Sequence, residues 1–239
     1  TETASRLRGR IEAVLDWATV RGYRKGDNPA RWRGHLDKLL PRPSQVARVK
    51  HHPALPYTEV GAFMQQLRGG AGIASRALEF TILTAARTNE VIQANWSEFD
   101  LDRRTWVVPA GRMKSKRDHR VPLSDAAVMV LTASRGHSKR YVFPGQKRGS
   151  HLSNLAMMQV LKRLDRTGIT VHGFRSTFRD WCAESTNYPS DVAEMGLAHT
   201  LREKTEAAYR RGDLFEKRAR IMADWARYCS RPAEPAKVV

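Results

Sequence analysis

Residues 77–91 read ALEFTILTAARTNEV, and the reading of this stretch decides the fold class. Ala77, Leu78, Ile82 and Ala85 recur at helical spacing, so a helix is expected through them that stops near Arg87. Asn89 is expected to cap a short further helix, with Glu90 in its first turn where the helix dipole favours an acid. Upstream, Thr58 is placed to cap a helix through Val60, Phe63, Met64 and Leu67. Downstream, the run Thr105-Trp106-Val107-Val108, the turn Pro109-Ala110-Gly111 and the segments 112–115 and 119–123 read as short extended pieces. They make a small antiparallel sheet with a basic connecting loop. Helical spacing then returns. Ser124-Asp125 starts one helix, Ser153 caps another through Met157, Leu161 and Leu164, and a third puts Phe174, Phe178, Trp181 and Cys182 on one face. Asp213 with Glu216 three positions later resembles a capping box, followed by an apolar stripe of Ile221, Met222, Trp225 and Cys229. The expected class is mainly α with one small antiparallel sheet.

Composition narrows what such a fold can do. The chain has 239 residues, with 42 Lys and Arg against 24 Asp and Glu, a net charge of +18. At 41% hydrophobic residues it carries enough apolar material for a core, so a solvated tail is excluded. It has no apolar run of membrane-spanning length, and its first residues, TETASRLRGR, lack the apolar stretch of a signal peptide. Two cysteines, Cys182 and Cys229, argue against a disulfide scaffold or a cysteine-based zinc site and point to a reducing compartment. A polyanionic partner is expected, with nucleic acid first.

The charge comes in blocks. Residues 1–50 carry twelve basic and five acidic side chains, and 51–101 only three basic against five acidic. Residues 102–120 return to +5, and 135–166 add +7. Each block alone reads as a solvated surface; three together suggest a shaped cationic face for phosphates. Residues 6–23 have helical spacing and Gly22 can end that helix, whereas 29–56 hold five prolines and no sustained period. The expected organisation is therefore the end of a preceding domain in 1–28, a basic linker in 29–57, a main domain in 58–230 and a tail in 231–239.

Four pieces set polar residues beside strong core signals. In the first, Arg87 follows apolar residues at a helix junction, and a buried guanidinium needs an anionic partner. Glu90 serves as that partner on a structural reading; on a functional one, Arg87 takes a phosphate and Glu90 steadies it. The second, MKSKRDHRVPLS at 113–124, is either a solvated turn or the holder of a lysine that gives a proton to a leaving alkoxide. The third is His172-Gly173-Phe174-Arg175, which can bracket one phosphate across a tight turn. The fourth is Gly196-Leu197-Ala198-His199, with Tyr209 ten residues later among alanines.

The order Arg, Lys, His-x-x-Arg, His, Tyr resembles the active site of the tyrosine recombinases. The phrases that carry it are TAARTNEV at 84–91, MKSKRDHRVPLS at 113–124, HGFR at 172–175 and AAYRRGD at 207–213. The likeness extends over about residues 58–229, and the tail EKRARIMADWARYC is most similar to the phage-integrase branch that includes satellite-phage and genomic-island integrases. It implies that Arg87 and Arg175 bind the phosphate, that Lys114 is the hairpin lysine, and that His172, His199 and Tyr209 fill the two histidine positions and the nucleophile. Lys116 and Lys139 are the other candidates for the lysine, and Glu90 falls where the family carries an acidic support. The family's Leu-Gly-His reads Leu197-Ala198-His199 here, which alters the steric freedom of that turn.

The resemblance further implies strand exchange through a 3′-phosphotyrosine with no metal and no cofactor. It implies double-stranded attachment sites as partners, a tetramer on DNA, a possible directionality factor, and a bacterial cytoplasmic, nucleoid-associated location without a membrane. Residues 1–28 then correspond to the end of a core-site DNA-binding domain. Lys116, Arg117, Arg120, Lys147 and Arg148 are candidates for further DNA contacts. Two alternatives stand beside this reading: a type IB topoisomerase, which shares the constellation, and a DNA-binding module without catalysis.

Overall fold

The structure is a computed structural model that describes residues 2–46, 53–113, 115–199 and 212–232. It divides into two compact units, 1–51 and 52–239.

In the first unit, helix α1 (Glu2–Val20) is held by the turn that follows it. The Asn28 amide donates to the carbonyl of Glu12 at 2.8 Å and to the Asp16 carboxylate at 2.7 Å, while its own oxygen accepts from Ala30. Arg8 pairs with Glu12 and donates to the carbonyl of Ala30. A turn at Trp32–Leu36, with Arg33 and Gly34 outside helical backbone angles, and a helical turn at Asp37–Leu39 occupy part of the proline-containing stretch. The apolar side chains Leu7, Val14, Trp17 and Val20 of α1 are exposed.

The second unit is built around α3 (Ile73–Thr84), whose Leu78, Phe80, Ile82 and Leu83 are buried on more than one side. Around it pack α2 (Val60–Arg68), α5 (Asp125–Ser134), α6 (Ala156–Arg163), α7 (Gly173–Ser185) and α9 (Phe215–Cys229). The short α4 (Thr88–Ile92) follows α3, and α8 (Ser190–Gly196) lies between α7 and α9 in sequence. The antiparallel sheet has the order β1 (Phe99–Asp100), β2 (Thr105–Val108), β3 (His119–Pro122), with Trp106 opposite Val121 and Val108 opposite His119. Phe80 joins helix to sheet through Trp106 and Phe99, with ring centroids 5.5 and 6.1 Å away. The stripe Ile221, Met222, Trp225 and Cys229 is buried in this unit's own core, and Trp225 donates its indole N–H to the carbonyl of Ile82. The fold class is the expected one: mainly α with a small antiparallel sheet.

Local starts and stops differ from the sequence reading in five places. Thr58 does not cap α2: it lies in a 3-10 turn over Tyr57–Glu59, and Glu59 is the N-cap. Residue 112 ends a 3-10 turn rather than starting a strand, and the chain reaches β3 through a connection closed by Asp118, whose carboxylate accepts from Ala110 N–H. Helix α6 begins at Ala156, so Ser153 lies outside its cap and contributes only its carbonyl, to Ala156 N–H. Arg87, not Asn89, is the N-cap of α4. Helix α9 starts at Phe215, with Leu214 at φ +53° as its N-cap; Asp213 accepts from Phe215 N–H one residue outside the cap.

Candidate active site

Arg87 is placed by its own backbone. At the N-cap of α4 its N–H donates to one oxygen of Glu90 at 2.9 Å, and its guanidinium donates to the other at 2.8 Å. Glu90 is buried at 3% exposure, so both of its oxygens are committed to holding Arg87. Arg87's other terminal nitrogen donates to the carbonyl of Ala198 at 3.2 Å. The structural and functional readings of this pair are thus compatible, because part of the Arg87 side chain stays open to solvent.

Arg175 comes from the first turn of α7 and is 5% exposed. It donates to the carbonyl of Ala85 and, at 2.5 Å, to that of Leu197, and Nη2 also faces Nε2 of His199 at 3.2 Å. Burial, then the neighbouring Arg87 charge, pull its pKa down to about 10, which leaves it charged at neutral pH. Two left-handed residues aim the receiving carbonyls: Ala85 at φ +49° ends α3, and Ala198 at φ +50° follows α8. Ala198 therefore bears the steric cost of a left-handed conformation.

His199 is held from both sides. Its Nδ1 lies 2.7 Å from Glu194, whose other oxygen accepts from Arg179 at 2.7 Å. With Nε2 accepting from Arg175, the imidazole N–H is directed at the Glu194 carboxylate. Burial pushes Glu194's pKa up, but the hydrogen bonds from Arg179 and His199 outweigh it and hold the carboxyl below its ordinary value. His172 is exposed at the N-cap of α7, and its carbonyl accepts from Arg175 N–H at 3.1 Å. Gly173 beside it is a packing requirement, because a Cβ there would stand 2.2 Å from the carbonyl of Pro53.

Arg87, Glu90, Arg175 and His199 are therefore brought together from three stretches far apart in sequence. Lys114 and Tyr209 lie outside the described residues. Lys116, Arg117, Lys147 and Arg148 are exposed, the last two on a turn closed by Gly145 N–H and the carbonyl of Ser150. Arg120 is partly engaged, stacked 4.1 Å over the Phe215 ring.

Three features escaped the sequence reading. Glu194 and Arg179 buttress His199, an arrangement signalled only by an acid five residues before it. Arg112 donates to the carbonyl of Glu90 at 3.1 Å and pairs with Glu98, so the base of the β2–β3 connection is tied to α4. His119, quoted within the hairpin phrase but given no role, is driven down to a pKa of about 4 by burial and by the Arg218, Arg87 and Arg175 charges, against an opposing effect of Glu90.

Paired guanidinium groups, one buried and one partly open, beside a carboxylate-backed histidine have the chemistry to take a phosphoryl group. Comparison with known proteins shows the family. Residues 55–214 match the phage integrase family and residues 1–35 the phage integrase central domain. The chain belongs to the phage integrase family. It is 33% identical over 229 residues to prophage integrase IntZ of Escherichia coli (strain K12), across 94% of this chain and 55% of that protein. To the integrase of Enterobacteria phage P4 it is 29% identical over 248 residues, across 95% of this chain and 55% of the other. The chain spans about half the length of the curated relatives it matches. Among solved structures, a lambda integrase tetramer bound to a Holliday junction superposes with a TM-score of 0.62 at 14% identity, over 85% of this chain and 60% of that one. The Tn1549 transposon integrase in complex with circular intermediate DNA gives 0.62 at 13%, over 88% and 75%. At these identities the likeness is one of fold.

Proposed function

We propose that the chain is the catalytic part of a site-specific DNA recombinase that cuts and rejoins strands through a 3′-phosphotyrosine. The observation that carries this is the convergence of Arg87, Arg175 and His199 on one place, with Glu90 and Glu194 behind them. In this reading the guanidinium groups of Arg87 and Arg175 bind the non-bridging oxygens of a phosphodiester, exchanging carbonyl contacts for phosphate contacts. Tyr209 reacts as its phenolate, which the cationic pocket favours, its phenolic proton having passed to solvent; the P–O bond to tyrosine forms as the P–O5′ bond breaks. Lys114 gives the departing 5′ oxygen its proton, with Lys116 as the other candidate on the same connection. His172 and His199 complete the cationic and hydrogen-bonding surround, and loss of one such donor typically costs about 10²–10³ in rate. The bond energy stays in the phosphotyrosine, so religation by a 5′ hydroxyl runs the same steps backwards.

Residues 1–28 are, on the same reading, the end of a core-site DNA-binding domain, supported by the match of residues 1–35 to the family's central domain. Attachment-site duplexes are the DNA partner and a tetramer the working assembly, as the lambda integrase tetramer on a Holliday junction suggests by analogy. A bacterial cytoplasmic location follows from such a substrate.

The test is covalent attachment to a nicked half-site duplex, read on a denaturing gel. The wild-type chain is expected to become linked and Tyr209→Phe to bind without linking. A Tyr209→Phe protein that still links to DNA overturns the assignment. Relaxation of supercoiled DNA lacking any attachment site favours the topoisomerase alternative.

A further inference from the structure

The three hydrogen bonds of one buried arginine mark where the nucleophile's segment is fastened down. Arg218, in the first turn of α9, is 1% exposed yet carries a charge. Its Nε donates to the carbonyl of Asp213 at 2.7 Å, one terminal nitrogen to the Asp213 carboxylate at 2.8 Å, and the other to the carbonyl of Arg120 at 2.6 Å. Asp213 and Arg120 lie 93 residues apart in sequence, and Arg218 joins them. Arg120 closes the group from outside, its guanidinium over the Phe215 ring and 3.7 Å from the Asp213 carboxylate. Leu214, left-handed at φ +53°, separates Asp213 from α9; Asp213 gives Arg218 its carbonyl and one carboxylate oxygen, while the other carboxylate oxygen accepts from Phe215 N–H. Arg218 is buried but its partner Asp213 is partly exposed, and an ion pair open to solvent on one side adds little stability, so stability alone does not account for it.

We propose that Arg218 and Asp213 act as positioning residues: they clamp the chain that carries Tyr209 to strand β3. The proposal rests on the recombinase reading above. Tyr209 lies ten residues after His199 and four before Asp213. The upstream end of that interval is fixed in the site, with Leu197 and Ala198 accepting from the two arginines and His199 held by Glu194. The Arg218 clamp fixes the downstream end, and it does so on β3, the strand that follows the lysine-bearing connection. One arginine therefore holds Asp213, four residues after Tyr209, against Arg120, six residues after Lys114. In-line attack needs reacting atoms about 3–3.5 Å apart, and a misplacement of about 1 Å can cost about 10²-fold.

The experiment uses the full chain and a nicked half-site duplex in two forms, one with an ordinary phosphodiester and one with a 5′-bridging phosphorothiolate, whose thiolate leaves without a proton. Arg218→Met, Asp213→Ala and Lys114→Ala are compared with the wild type for duplex affinity and single-turnover attachment. Arg218→Met is expected to bind within about two-fold of wild type and to attach about 10- to 100-fold more slowly on both duplexes alike. Lys114→Ala is expected to be slow on the phosphodiester and restored on the phosphorothiolate. A folded Arg218→Met with an unchanged attachment rate overturns the proposal, as does a defect that the phosphorothiolate removes. If Arg218→Met does not fold, Asp213→Ala decides by the same criteria, because Asp213 is partly exposed and its truncation removes less buried volume. Failure of the wild type to attach at all, or attachment by Tyr209→Phe, instead defeats the recombinase reading.

Discussion

Arg87 reaches the carbonyl of Ala198, 111 residues later in the chain, at 3.2 Å, and Ala198 presents that carbonyl from a left-handed φ of +50°. For an L-residue with a Cβ this conformation costs roughly 1–2 kcal/mol. Glycine removes the steric cost but adds unfolded-state entropy of about 0.4–1 kcal/mol. Ala198→Gly is therefore expected to be neutral or stabilising by up to about 1 kcal/mol in urea unfolding. Ala198→Val, whose branched side chain tolerates positive φ poorly, is expected to lose at least about 1 kcal/mol. A clear loss in the glycine variant contradicts the left-handed assignment.

A second backbone constraint lies in the HGFR phrase. A methyl at Gly173 meets the Pro53 carbonyl at 2.2 Å, and backbone on both sides leaves little room to yield. Thr177, one turn along α7, also donates to the carbonyl of Leu55, so the segment before α2 is sewn onto α7. Gly173→Ala is expected to lower stability by about 1–3 kcal/mol. Gly168→Ala, with open space around its Cβ, is expected to change it little. Equal denaturation midpoints for the two variants count against this packing.

These two cases show what a sequence conveys and what it withholds. Helices α2, α3 and α7 are legible because their apolar residues repeat at 3.6-residue spacing, as is the buried stripe of α9, and α5 is legible from the Ser124 that caps it. The polar identities at Arg87, Arg175 and His199 are legible too, since their order along the chain is distinctive. What joins them is not. Glu194 beside His199, Arg112 on the Glu90 carbonyl and Arg218 on the Arg120 carbonyl are long-range hydrogen bonds with no periodicity behind them. The cap of α4 departs from the expectation for a related reason: Asn89 has the better capping propensity, but Glu90 folding back on Arg87 N–H overrides it.

His119 gives a pH signature. Its ordinary pKa near 6.5 falls to about 4 through burial first, then through the charges of Arg218, Arg87 and Arg175, with Glu90 opposing them. The folded protein thus keeps His119 neutral while the unfolded chain takes up a proton. Its contribution to stability is full above pH 6.5 and is lost as pH falls through 4. At about 1.4 kcal/mol per unit the loss is at most about 3 kcal/mol. His119→Gln, with no proton to take up, is expected to gain on the wild type by up to that amount between pH 7.5 and 4 in chemical denaturation. Parallel stability profiles for the two proteins argue that His119 titrates normally.

The last prediction concerns the cationic surface. Lys116 and Arg117 are exposed on the β2–β3 connection, and Lys147 and Arg148 on the turn at 145–150. Each can be an ordinary solvated side chain or a phosphate contact, and salt dependence separates the two. A side chain that neutralises one phosphate contributes about 0.9 to the slope of log K against log salt on duplex DNA. Removing it weakens binding to all sequences by a similar factor and flattens the slope by about one. For this chain alone the affinity is expected to be largely non-specific, with Kd roughly 10⁻⁴–10⁻⁶ M at physiological salt. Lys147→Ala and Arg148→Ala together are expected to flatten the slope by nearly two in fluorescence anisotropy, equally on an attachment-site duplex and a scrambled one. An unchanged slope assigns this turn to solvent. A loss confined to the attachment-site duplex means instead that this turn reads sequence directly, which paired phosphate contacts do not do.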